Sequence, residues 1–188
     1  MSKAIWLLTL VFFLGLLGSV WLIENDLMAH NKNKVANLDS YMLNAHYSQF
    51  DSRGNLHFQL SSEKMNHYHS HDAAYFTKPH LYGFTKEGIP WTVDADFAQT
   101  TQGTHKIFFW QNVVLVQLSY PHHSAVTQIK TSSLNVYPYH SYAETTSPVI
   151  LTRENSTANG TGMQADFKSG IMKLLAQTKT TYQPKLDK

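Results

Sequence analysis

Ala95-Asp96-Phe97, a polar stretch, and then Ile107-Phe108-Phe109-Trp110-Gln111-Asn112-Val113 form a unit that returns seventy positions later. The second copy reads Ala165-Asp166-Phe167, a tight Lys168-Ser169-Gly170 turn, and Ile171-Met172-Lys173-Leu174-Leu175-Ala176. Each copy is predicted as strand, turn and apolar strand. A repeated strand-turn unit signals an extended sheet built by stacking, because one unit cannot bury its apolar face alone. Lys130 to Leu134, leading to Pro148-Val149-Ile150-Leu151, is a fainter echo between the two. The expected product is an all-β body of two layers around a continuous apolar interior.

Other stretches support a β reading. Leu56-His57-Phe58-Gln59-Leu60 alternates apolar and polar, as a half-buried strand does, and follows the turn cluster Asp51 to Asn55. Thr85-Lys86-Glu87-Gly88 is a second turn, feeding Trp91-Thr92-Val93. Beyond the N-terminus no segment carries capped helical periodicity. In the final strand Met172, Leu174, Ala176, Thr178, Thr180 and Tyr182 share one face, opposite Lys173, Gln177, Lys179 and Thr181. In the strand around Val113, the residues Phe108, Trp110, Val114, Val116 and Leu118 share a face and are assigned to the interior, with a bulge expected near Gln111-Asn112.

The N-terminus is of another kind. Ala4 to Ile23 is twenty residues without a charge. At about 1.5 Å per residue it spans about 30 Å, one hydrocarbon core. A cleaved signal peptide is disfavoured by the bulky exit Val20-Trp21-Leu22-Ile23. Lys3 before the span and Glu24 and Asp26 after it place the N-terminus in the cytoplasm and the rest across the membrane. Gly15 and Ser19, four apart on one helix face, are a candidate packing surface for another helix. The expected organisation is an anchor over residues 1–24, a polar linker over 25–37 and one β domain over 38–188.

Composition excludes several functions. The formal charge of +2 is spread without a basic block, which argues against nucleic acid. With no cysteine there is neither a disulfide framework nor thiolate chemistry. His67-Tyr68-His69-Ser70-His71 places three histidines at strand spacing, and His122-His123 adds a pair. A metal reading is weaker than a solvent-facing, histidine-rich edge, since no carboxylate beyond Asp72 sits at ligand spacing. Asp94 with Asp96, or Asp39 with Asp51, form formal acid–base pairs, but no nucleophile elbow or H-E-x-x-H helix accompanies them. The equivalent repeat positions of Asp96 and Asp166 point to a turn or strand-end role. Neither an enzyme nor a cofactor is expected. A membrane-tethered structural or adhesion module is the alternative to a lipid carrier.

Taken in order, Tyr75-Phe76-Thr77-Lys78-Pro79, Ile89-Pro90-Trp91-Thr92-Val93-Asp94-Ala95-Asp96-Phe97-Ala98, Asn159-Gly160-Thr161-Gly162-Met163 and Thr178-Lys179-Thr180-Thr181-Tyr182 resemble the LptC family of lipopolysaccharide export proteins. The resemblance covers nearly the whole chain. It implies an open, twisted β-jellyroll, the fold shared with the soluble bridge protein LptA of the same pathway. It also implies lipopolysaccharide as cargo, an ATP-driven permease complex in the inner membrane as the upstream partner, and LptA as the downstream one. Arg153 departs from the family, standing near an expected glycine. The chain has no G-x-x-x-x-G-K-[ST] phosphate loop, so work must come from a partner. The expected lipid groove comprises Phe76 and Tyr182, from the motif matches, with Phe108, Trp110, Val116, Met172 and Leu174 from strand phase. The two sheet edges are expected to dock partners, one through Leu43 and Ala45, the other through Thr178 and Thr180.

Overall fold

The computed structural model describes residues 38–69, 72–85, 88–101, 103–118 and 126–182. The predicted membrane helix with Gly15 and Ser19, and the linker before residue 38, lie outside the described residues. Among the described residues no helix is long and apolar enough to cross a membrane.

Eleven antiparallel strands follow one another: β1 (Leu38–Phe50), β2 (Leu56–Tyr68), β3 (Ala73–Thr77), β4 (His80–Phe84), β5 (Pro90–Asp94), β6 (Phe97–Thr101), β7 (Ile107–Gln117), β8 (Thr127–Tyr137), β9 (Tyr142–Arg153), β10 (Ser156–Asp166) and β11 (Ile171–Tyr182). A 3-10 turn, Pro138–His140, joins β8 to β9. The all-β expectation holds. From β7 the sheet runs outward through β8, β9 and β10 to β11. In the other direction it forks. The start of β7 pairs with β6 and its end with β5. Strand β3 joins β6 to the end of β2, and β4 joins β5 to its start. The fork closes on β2, and β1 pairs along the far side of β2. Strands β1 and β11 are therefore the two edges.

The fork follows from a bend that crosses the sheet at mid-strand. Lys78 (φ 51°) breaks β3 from β4, while Gln111 (φ 61°) and Asn112 (φ 52°) form the bulge in β7. Gln177 (φ 50°) bulges β11, and Asn44 (φ 50°) lies mid-way along β1. An extra residue at each site turns a strand without ending its pairing. Asp96 pins the bend where β5 gives way to β6. It accepts hydrogen bonds from Lys78 Nζ at 2.6 Å and Asn112 Nδ2 at 2.5 Å. Its backbone carbonyl accepts from Lys78 N–H, and its N–H donates to the carbonyl of Gln111. One aspartate thus holds three chain segments.

Folding over the bend packs the layer holding β2, β4 and β5 against β8 to β10. The Trp91 and Phe167 rings stack at 4.5 Å with 9° between their planes, and Phe58 meets Tyr139 edge-on at 5.6 Å. Gly83 permits the Trp91 position, because a Cβ there would lie 2.7 Å from the indole. Phe58, Trp91, Phe109 and Phe167 are fully buried, each contributing about 1.5–3 kcal/mol or more of apolar burial.

The repeat does not survive as a structural repeat. Phe97 opens β6 and stacks outward on Trp110, whereas Phe167 lies past β10 and turns into the core. What the two aspartates share is a role at a chain reversal. Asp166 accepts from the N–H groups of Lys168 and Ser169 at 2.8 and 3.3 Å. Near Arg153, which ends β9, the left-handed conformation falls on Glu154 (φ 48°), so no glycine is used at that turn.

The Lys78 ammonium first, and then the Asn112 amide, hold the Asp96 carboxyl below the usual carboxylate range. A depressed folded pKa contributes stability above the unfolded value, about 3.9. That contribution is lost as pH falls through the lower folded value. Asp96→Asn is expected to lower the urea midpoint at pH 7. The gap to wild type should close on acidification through the depressed carboxylate range, and a pH-independent gap would show that Asp96 acts through shape alone.

Candidate functional site

Cross-strand register identifies what faces inward. Residues directly opposite each other share a face. Ala165 and Met163 are buried, and Met172 and Leu174 of β11 stand opposite them, packed on the core. On β1, Ala45 and Tyr47 stand opposite the buried Ser62 and Leu60. Beyond Asn44 the phase of β2 changes, Met65 packs on the core, and Met42 stands opposite it. The inner face is thus one apolar surface that comes out to solvent at both edges.

The edges carry much of the exposed apolar surface. On β1, Leu38, Tyr41, Met42, Leu43, Tyr47 and Phe50 are all exposed, and Ala45 is the strand's one buried residue. On β11, Ile171, Leu175 and Tyr182 are exposed. Among the described residues neither edge has a second strand partner. Among the described residues three buried polar atoms, Ser62 Oγ, Asn66 Oδ1 and Trp91 Nε1, have no hydrogen-bond partner.

The predicted groove residues divide into two sets. Phe76 is buried at 7% exposure, opposite Met65 and Ala98. Met172 and Leu174 lie on the inner face, and Tyr182 is exposed at the far end of β11, opposite Ser156. Phe108, Trp110 and Val116 share a face as expected, but it is the outer one. Ile107, Phe109, Val113 and Leu115 occupy the interior instead. The outer face misled the assignment because it is itself apolar: Phe108, Trp110 and Phe97 stack on one another at 5.5 and 5.8 Å. At the edges, Leu43, Thr178 and Thr180 are exposed, whereas Ala45 turns inward. Phe58, Leu81, Trp91 and Phe167 are interior residues absent from the predicted set. The alternation in Leu56–Leu60 already pointed to Phe58.

In the histidine segment His67 meets two carboxylates, while His71, His122 and His123 lie outside the described residues. His67 Nδ1 lies 3.3 Å from Asp39 Oδ2, and Nε2 lies 3.4 Å from Asp72 Oδ1. The two carboxylates approach opposite ring nitrogens and so cannot share one ion with that imidazole. Among the described residues no three His, Cys, Asp or Glu side chains group as metal ligands.

The geometry defines an open antiparallel β-roll with an apolar inner face and two unpaired edges, a class suited to holding amphiphiles. The sequence model for the family described as "Lipopolysaccharide-assembly, LptC-related" matches residues 7–183. The chain belongs to this LptC-related family, and its role lies in lipopolysaccharide transport. Its fold is similar to the crystal structure of LptH, the LptA-homologous periplasmic component of the conserved lipopolysaccharide transport device from Pseudomonas aeruginosa. That likeness has a TM-score of 0.54 at 9% identity and covers 68% of this chain and 95% of that one. No curated protein matches the sequence.

Adjacent phenylalanines test the face assignment. Phe109→Ala is expected to cost about 3–5 kcal/mol in urea unfolding, and Phe108→Ala about 1 kcal/mol, the loss of one outer ring contact. A larger cost at Phe108 than at Phe109 would mean that the two faces of β7 have been exchanged.

Proposed function

We propose that this chain is a single-pass inner-membrane protein whose periplasmic β-roll relays lipopolysaccharide from an ATP-driven permease complex to the bridge protein LptA. The observation that carries this reading is the apolar inner face that emerges at both β1 and β11, in a chain of the lipopolysaccharide-assembly family. Each acyl methylene removed from water contributes about 0.8 kcal/mol, so a chain of a dozen carbons gains up to about 10 kcal/mol. The glycan stays in solvent outside the roll.

Entry requires the layers to part, because Phe109, Leu115 and Phe167 already fill the interior. Strand β1 is the element that gives, since it anchors one buried residue along its length and is otherwise held by its ladder to β2. The unpartnered Ser62 hydroxyl beneath β1 is placed to meet a lipid ester or hydroxyl as the strand moves. The same edges dock neighbours. Around Leu43 to Phe50, β1 adds to the periplasmic β-domain of a permease subunit. β11, through Thr178 and Thr180, adds to LptA. End-to-end addition makes the inner faces continuous, so lipid passes without crossing water.

A photoreactive side chain at Met172 or Leu174 is expected to crosslink to lipopolysaccharide during transport, and one at Phe108 to stay unlabelled. Equal labelling from both faces, or none from either, defeats the carrier reading and favours a tethered module without cargo. Thr178→Pro with Thr180→Pro removes two backbone N–H groups from β11. The folded variant should lose roughly tenfold or more in affinity for LptA in pull-down, the equivalent of one or two interstrand bonds. Unchanged capture would exclude docking through β11.

A further inference from the structure

Four turns meet at one end of the roll: those joining β1 to β2, β4 to β5, β8 to β9 and β10 to β11. Between them opens a cavity of about 660 Å³, with Arg53 and Lys168 in its wall beside Asp51, His57, Phe84 and Thr85. The two cations come from different turns, one from each edge hairpin. The Arg53 side chain is 83% exposed, with Nε 3.6 Å from Asp51 Oδ2, which leaves its remaining N–H groups available. Lys168 makes no ion pair among the described residues.

The one acid in the cavity wall among the described residues, Asp51, is also committed to its own turn. Asp51 accepts from the N–H groups of Arg53 and Asn55 at 2.8 and 2.9 Å, and from Asn55 Nδ2 at 3.2 Å. Asp166 closes its own turn on Lys168 and Ser169. Among the described lining residues, Arg53, Lys168 and Asp51 sum to one positive charge. Thr85 Oγ1 accepts from Ile89 N–H, so its own O–H remains available to a ligand.

The cavity also adjoins the apolar interior. Lys168 directly follows Phe167, whose ring is 2% exposed and stacked on Trp91. Phe84 in the wall follows Gly83 in β4 but faces the other side of the sheet, where its ring meets Tyr82 at 5.0 Å. A cationic mouth at the end of a greasy face matches an amphiphile whose anionic head adjoins its chains. Arg and Lys supply charge-assisted hydrogen bonds to phosphate oxygens, and Phe84 and His57 offer flat surfaces to a sugar ring.

We propose that this cavity binds the phosphorylated sugar head of the transported glycolipid, with Arg53 and Lys168 on the phosphate. The site rests on the lipid-carrier reading above. A phosphate monoester is the chemistry recognised, and free phosphate would be its other source.

The test uses the full chain in non-ionic detergent, titrated with fluorescent lipid A bearing both phosphates, with the same lipid dephosphorylated, and with inorganic phosphate. Wild type should bind the phosphorylated lipid about tenfold more tightly than the dephosphorylated form. Arg53→Gln with Lys168→Gln should abolish that preference and leave binding of the dephosphorylated lipid unchanged. Lys179→Gln, on β11 outside the cavity, should keep the preference. Equal binding of the two lipids by wild type, or an undiminished preference in the double variant, overturns the head site and leaves lipid carriage standing. Binding of neither lipid overturns both. Inorganic phosphate bound as tightly as lipid A, with the same dependence on Arg53 and Lys168, would make this a site for free phosphate and overturn the assignment to the lipid head.

Discussion

One sheet has to bury its own apolar face, and that constraint shapes the molecule. Long strands such as β2, β7 and β9 cannot stay straight and still fold one half of the sheet over another. The turn is made inside the strands, by Lys78, Gln111, Asn112 and Gln177 in left-handed conformations that these side chains adopt at a cost. Asp96 offsets that cost. Its carboxylate and backbone together bind the break between β3 and β4 and the bulge of β7, so two sites of local strain share one set of hydrogen bonds. Without that bend, Trp91 would not reach Phe167.

A sheet folded in this way stays open. The fork between β2 and β7 closes one side, while β1 and β11 remain edges with a single partner each. Monomeric proteins usually blunt such edges with charge, proline or brevity. Here β1 presents six large exposed apolar side chains and β11 three, on strands of 13 and 12 residues. Exposed apolar edges of this length are a liability for an isolated domain and an asset for one that works in a chain of like folds.

The polar details fit a protein that handles an amphiphile. Stable cores seldom leave a buried donor unpaired, yet Trp91 Nε1 and Ser62 Oγ have no partner. Cations stand instead at the turn end, where Arg53 and Lys168 line an open cavity beside Asp51, whose carboxylate also closes its own turn.

The sequence by itself determined the class of fold, the strand stretches and their grouping into faces. Period-two alternation is a local property, and it placed Phe58 with Leu60 and Met172 with Leu174 correctly. The motif order from Tyr75 to Tyr182 determined the family. The bulge at Gln111-Asn112 was legible because polar residues interrupt an apolar strand there. Sidedness was not. Phe108 and Trp110 are as apolar as Ile107 and Phe109, and only the layer that packs across β7 decides which pair is buried. The likeness of Ala95-Asp96-Phe97 to Ala165-Asp166-Phe167 misled for the same reason: one phenylalanine meets Trp110 outside and the other Trp91 within. Nor did spacing reveal the meeting of Arg53 with Lys168, more than a hundred residues apart, because tertiary folding alone brings the first and last hairpins to one mouth.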